Sequence, residues 1–186
     1  MQALLASYEK DANLLRLGTL LKNTGWKLLG SAGTAKYLNE NGVACRDVAE
    51  IVGKPILGHR VVTLSRELHA ALLSTPKDAD ELKTLGIEPI DLVYVTLYPL
   101  EETIKNGASS DEVIEKTDIG GPTLLRAAAK GGRIVLSSPA QIEEFEQHLA
   151  SNTLDIQYQI KLAAAAERRV AEYVSISASY WESKSR

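Results

Sequence analysis

The chain has a single cysteine, Cys45, in 186 residues. It can form no disulfide within itself, and a zinc site built on several thiolates is excluded. Cys45 lies in an apolar, strand-like run, where a thiol is expected to be buried and inert rather than nucleophilic. No run of 18 apolar residues occurs, so no transmembrane helix is predicted. A basic excess is also missing: 21 Lys and Arg stand against 24 Asp and Glu, for a formal net charge of −3. Nucleic acid, whose phosphates demand a positive face, is therefore not an expected partner. The N-terminal Met-Gln-Ala-Leu-Leu-Ala-Ser lacks the basic start and long apolar stretch of a signal peptide. A cytoplasmic location without membrane contact is the expectation.

What is present fits a soluble globular protein, with 45% hydrophobic and 24% charged residues. One domain over 1–186 is expected, with a sheet core over 1–138 and a helical extension over 139–186. Strand-like runs fall at 4–6, 26–29, 43–48, 90–97 and 134–136. Helical periodicity falls between them, at 11–22, 34–40, 67–74, 78–85, 101–105, 111–115 and 122–130. Beyond Pro139 the pattern is helical throughout. Near-continuous apolar strands alternating with helices predict an α/β fold, a parallel sheet covered on both faces as three layers. Such sheets bind ligands outside the carboxyl ends of their strands, near the reversal in strand order.

The richest segment is Lys116-Thr-Asp-Ile-Gly-Gly-Pro-Thr-Leu-Leu-Arg-Ala-Ala-Ala-Lys130. Asp118 precedes a Gly-Gly-Pro helix start, with Pro122 suited to the first helical position. Lys130 closes the helix at Gly131-Gly132, where left-handed backbone can end it. Gly120 and Gly121 thus offer free amides at a helix N-terminus, which attracts negative charge. A well-capped surface helix with an incidental Asp and Lys gives the same pattern.

Further groups follow strands in the same way. Ser31-Ala-Gly-Thr34 opens a helix after a strand, with Gly33 allowing close backbone approach and Ser31 and Thr34 able to donate to an anion. An ordinary helix cap would read alike. Arg60 and Thr63 follow the third strand across a Gly/Pro loop, and Arg60 suits oxyanion binding. Tyr98-Pro99 ends the fourth strand and would aim its hydroxyl into the crevice. At the C-terminus, Ile156, Ile160, Ala163, Ala164, Val170 and Val174 repeat near the helical period, as an internal or an intermolecular stripe.

Several motifs now occur in one order: Ser31-Ala-Gly-Thr-Ala-Lys36, Arg60-Val-Val-Thr-Leu64, His69-Ala-Ala-Leu-Leu73, Leu97-Tyr98-Pro99, Asp118-Ile-Gly-Gly121 and Leu125-Arg-Ala-Ala-Ala-Lys130. In these the chain resembles the inosine monophosphate (IMP) cyclohydrolase domain of the bifunctional purine-biosynthesis enzyme that also carries a formyltransferase. That resemblance implies a methylglyoxal-synthase-like, Rossmann-like fold. It implies closure of the purine ring, from the formylated aminoimidazole carboxamide ribonucleotide to IMP, with no metal or cofactor. It places the 5′-phosphate on Lys10, Ser31, Gly33, Thr34, Arg60 and Thr63. The carboxamide edge falls to Asp118 with Ile119, Gly120 and Gly121; to Lys130 and Tyr98 we assign, as an expectation of our own, the stabilisation or protonation of the formyl oxygen. A homodimer and a separate formyltransferase are the protein partners it admits.

This chain also departs from the family pattern. The family's G-R-V-K-T-L-H-P reads His59-Arg-Val-Val-Thr-Leu-Ser-Arg66 here, with Val62 in place of lysine and Ser65-Arg66 in place of His-Pro. Its S-x-S-D-K-T-G reads Ala6-Ser-Tyr-Glu-Lys-Asp-Ala-Asn13, with Lys10 as the nearest lysine, and its Asn before Leu-Tyr-Pro is Thr96. A valine neither donates hydrogen bonds nor carries charge. A degenerate, non-catalytic nucleotide- or phosphate-binding module is therefore the competing expectation.

Overall fold

The computed structural model describes residues 1–58 and 60–185. His59, the first residue of the altered loop motif, lies outside the described residues. The chain opens with strand β1 (Gln2–Ser7), helix α1 (Ala12–Asn23), β2 (Lys27–Gly30), α2 (Ala32–Glu40) and β3 (Arg46–Asp47). Three short helices follow: α3 (Ala49–Val52), α4 (Arg66–Leu73) and α5 (Ala79–Leu85). Then come β4 (Leu92–Thr96), α6 (Leu100–Lys105), α7 (Ser110–Glu115), α8 (Gly120–Lys130) and β5 (Ile134–Leu136). The chain closes with α9 (Ile142–Ala150) and α10 (Ile156–Lys184).

Among the described residues the strands form one five-stranded sheet in the order β3-β2-β1-β4-β5, and every pairing is parallel. The core explains the apolar strands. Leu4, Leu5, Leu92, Val93, Tyr94 and Leu136 are fully buried, because helices cover both sheet faces. Helices α1, α2 and α9 pack together over one face, and α4, α8 and α10 over the other. The chain moves outward from β1 to β3, then returns to place β4 on the other side of β1. Strand order reverses between β1 and β4, and their carboxyl ends define the crevice.

The third strand is shorter than the expected 43–48. Asn39 explains this. Its side-chain amide accepts from Cys45 N–H at 3.0 Å and donates to Cys45 C=O at 2.8 Å, taking the groups a longer ladder would need. Cys45 itself is buried, and burial with the nearby Asp47 charge pushes its thiol up to about 12. It is an inert core group, as expected.

Two other expectations are corrected. Helix α8 starts at Gly120, so Pro122 is its third residue rather than its first. This is tolerated because amides throughout the first turn have no intrahelical partner to lose. The buried stripe of α10 is Tyr158, Leu162, Ala166, Val170, Tyr173 and Tyr180. Of the stripe read from the sequence only Val170 belongs to it; Ile156, Ile160 and Val174 are exposed. Counting tyrosine among the apolar residues recovers the true face, since a buried tyrosine presents an apolar ring. No described helix is long and apolar enough to cross a membrane.

Candidate active site at the carboxyl edge of the sheet

A cavity of about 630 Å³ opens where β1 and β4 diverge. Lys10, Ser31, Gly33, Arg60, Thr63, Tyr98, Asp118, Ile119, Gly120 and Gly121 all line it. Residues 70 or more positions apart in sequence meet here because each follows a parallel strand. Val62 lines it too, partly buried against the core, so the position that departs from the family faces the crevice.

One end of the cavity is the turn from β2 into α2. Ser31 occupies the N-cap position of α2 but makes no side-chain cap bond. Its hydroxyl instead donates to Thr34 Oγ1 at 3.0 Å. Thr34 does not line the cavity. It is fully buried, accepts from Ser7 N–H at 3.1 Å and donates back to Ser7 C=O at 3.3 Å. Its expected contact with a phosphate is thus replaced by a brace between β1 and α2. Replacing Thr34 by valine is expected to cost about 1–3 kcal/mol, the range for a buried donor left unpaired. A lower denaturant midpoint with an unchanged slope checks this.

Lys10 leans over the same turn. A Cβ placed on Gly33 would sit 3.3 Å from Lys10 Cε, so glycine leaves the space the lysine stem uses. The ammonium donates to the carbonyls of Ser7 and Tyr8. The residue as a whole is exposed, but burial of this end lowers the ammonium's pKa. Thr96 fixes the turn beyond β1. Its hydroxyl accepts from Tyr8 N–H at 2.8 Å and pairs with Ser7 Oγ at 2.8 Å.

Asp118 dominates the other end. It accepts from Gly121 N–H at 2.8 Å, so the free amides expected at the start of α8 are capped by this carboxylate. Gly121 has no room for a side chain: a Cβ would collide with Asp118 Oδ2 and stand 2.7 Å from Leu97 Cδ2. Burial raises the Asp118 pKa, while amides of Gly121, Tyr98 and Gly120 pull it back down. Burial also raises Tyr98, helped by the negative charge of Asp118, so the phenol keeps its proton at neutral pH. The segment before α8 is pinned from the helical extension. Tyr173 of α10 accepts from Asp118 N–H at 2.8 Å and donates to Lys116 C=O at 3.2 Å.

Arg60 and Glu115 face each other across the cavity. The guanidinium donates from Nε at 3.3 Å and Nη2 at 3.2 Å to one carboxylate oxygen. Both side chains are largely exposed, and such pairs open readily. Glu115 and Tyr8, which also line the cavity, escaped the sequence reading. Tyr8 directly follows β1, and that placement was the available signal.

Lys130 is not brought to the site. It is exposed at the C-terminal end of α8, and an 11-residue helix separates it from the Asp118 end by roughly 15 Å. The expected role of Lys130 at the formyl oxygen has no place in this cavity. Among the described residues no cluster of His, Cys, Asp and Glu could hold a metal ion.

A five-stranded parallel sheet covered by helices, with its cavity at the reversal in strand order, defines an α/β domain of the Rossmann-like class. The family model described as "MGS-like domain" matches residues 13–123, and the chain belongs to that family. The bifunctional purine biosynthesis protein PurH of Aquifex aeolicus (strain VF5) is 38% identical over 179 residues, covering 93% of this chain and 35% of the relative. PurH of Oenococcus oeni (strain ATCC BAA-331 / PSU-1) is 39% identical over 186 residues, covering 96% and 36%. The chain spans about a third of the length of these curated relatives. A crystal structure of ForH superposes with a TM-score of 0.79 at 30% identity, covering 96% of this chain and 97% of that one.

Proposed function

We propose that this chain is an IMP cyclohydrolase-like protein of purine biosynthesis. Its substrate would be the formylated aminoimidazole carboxamide ribonucleotide, and its product IMP. The observation that carries the reading is the convergence of Lys10, Ser31 and Arg60 with Tyr98 and Asp118 on one cavity. The first three suit a 5′-phosphate, and the last two suit a carboxamide next to a formyl group. In the reaction the carboxamide nitrogen bonds to the formyl carbon and gives up one proton, the formamido nitrogen gives up its own as its C=N bond forms, and the formyl oxygen departs with both protons as water. Asp118 accepts the N–H of the attacking amide. Tyr98, still protonated, donates to the formyl oxygen as charge builds there. No group need form a covalent intermediate, because orientation and electrostatics lower this barrier.

Arg60 provides the test. Anion binding would draw its guanidinium away from Glu115 and onto the phosphate, a charge-assisted contact worth roughly 1.5–3 kcal/mol. Calorimetry on Arg60→Ala should show IMP binding weakened by about tenfold or more, with inosine binding unchanged. Equal affinity of the natural protein for inosine and IMP would overturn the phosphate site. A second reading has its own observation: Val62 faces the cavity and Lys130 lies outside it, so the lysine of the family pattern and the cation expected at the formyl oxygen are both missing from it. On that reading the chain binds purine monophosphates without converting them.

A further inference from the structure

Tyr8 and Lys116 have no place in the reading above, yet they form a defined cluster with Tyr98. The Tyr8 and Tyr98 ring centroids lie 5.0 Å apart, with planes inclined at 54°. Lys116 Nζ stands 5.4 Å from the Tyr8 centroid and 5.7 Å from that of Tyr98. One ammonium therefore holds both rings. Both rings lie within cation–π range of it. The backbone on each side is fixed. Thr96 holds Tyr8 N–H, and Tyr173 holds Lys116 C=O. Tyr8 is 38% exposed, a large ring left open at a cavity wall rather than packed into the core.

We infer that Tyr8, clamped by Lys116 against Tyr98, is the base-selecting wall of this cavity. The inference rests on the nucleotide reading proposed above. Tyr8 and Tyr98 both line the cavity, while Lys10, Ser31 and Gly33 mark its anion end. The inclined rings form an angle rather than a sandwich. A planar heteroaromatic base lies flat on Tyr8 and turns its edge toward Tyr98. Stacking of this kind needs only a π face, so Tyr8 selects for a base over none. Lys116 acts through the rings and is a positioning residue. A cation–π contact keeps the rings from rotating away when the cavity is empty.

The test compares two ligands, IMP and ribose 5-phosphate, by calorimetry on the full chain. Tyr8→Ala should weaken IMP roughly tenfold and leave ribose 5-phosphate within about twofold. Tyr8→Phe should bind both as the natural protein does, because the ring rather than the hydroxyl is used. Lys116→Met should weaken IMP about three- to fivefold, and Lys116→Arg should restore it. An affinity ratio of IMP to ribose 5-phosphate that stays at its natural value in Tyr8→Ala and Lys116→Met would overturn the wall. So would equal affinity of the natural protein for the two ligands. If the natural protein binds neither ligand, the nucleotide reading itself falls, which is a distinct outcome.

Discussion

Asp118→Asn is expected to lower ring closure by on the order of 10²-fold or more, as loss of an oriented proton acceptor commonly does, while leaving the fold at least as stable. The two effects separate because Asp118 has two jobs. As a base it must take a proton from the amide, which a neutral carboxamide cannot do. As a cap it must accept from Gly121 N–H, which the asparagine oxygen still does. The pKa supplies the sign of the stability change. Burial holds the folded Asp118 above its ordinary value, so the native state favours the protonated form. Its contribution is fully present below the unfolded pKa and is lost as pH rises through the folded one. Asparagine has no ionised form, so the variant should gain on the natural protein as pH climbs through the acid range. Thermal melts at several pH values check this. Asp118→Ala lacks the acceptor as well and should melt lower than either. Wild-type-like turnover in Asp118→Asn would remove the assigned role.

Much of this site was legible in the sequence because a parallel sheet converts order along the chain into position. Lys10 follows β1, Ser31 and Gly33 follow β2, and Tyr98 and Asp118 follow β4, so all reach the same edge. Motif type was less informative than placement after a strand. The failures have equally local causes. Thr34 belongs to a phosphate-like motif, but the first turn of α2 rotates it under β1, where Ser7 occupies it. Lys130 shares a motif-bearing segment with Asp118, yet a helix rise of about 1.5 Å per residue carries it away. That arithmetic was available without coordinates. Glu115 could not be seen, since its importance lies in facing Arg60 from an element 55 positions away. Tyr173 was hidden for the same reason: only the folded chain brings α10 against the segment that carries Asp118.

Val62→Lys is expected to raise the rate of ring closure by at least about tenfold over a low natural rate. The position tolerates the change, because Val62 lines an open cavity and is only partly buried. The lysine stem can cover the apolar contacts that valine makes while its ammonium reaches water. Stability should fall by no more than about 1 kcal/mol, the usual scale for a half-exposed substitution. The electrostatics do not oppose it. Two carboxylates, Asp118 and Glu115, and two cations, Lys10 and Arg60, line the same cavity, and Arg60 is already paired to Glu115, so the lining charge is balanced. In the reaction the added ammonium would oppose the charge growing on the formyl oxygen, the task that Lys130 is too distant to perform. Steady-state formation of IMP from the formylated precursor measures the gain directly, with nucleotide binding measured in parallel. Activity in both proteins, larger in Val62→Lys, supports an enzyme slowed by one substitution. No activity in either, with IMP still bound, would instead establish a binding module whose catalytic role ended with more than the loss of that lysine.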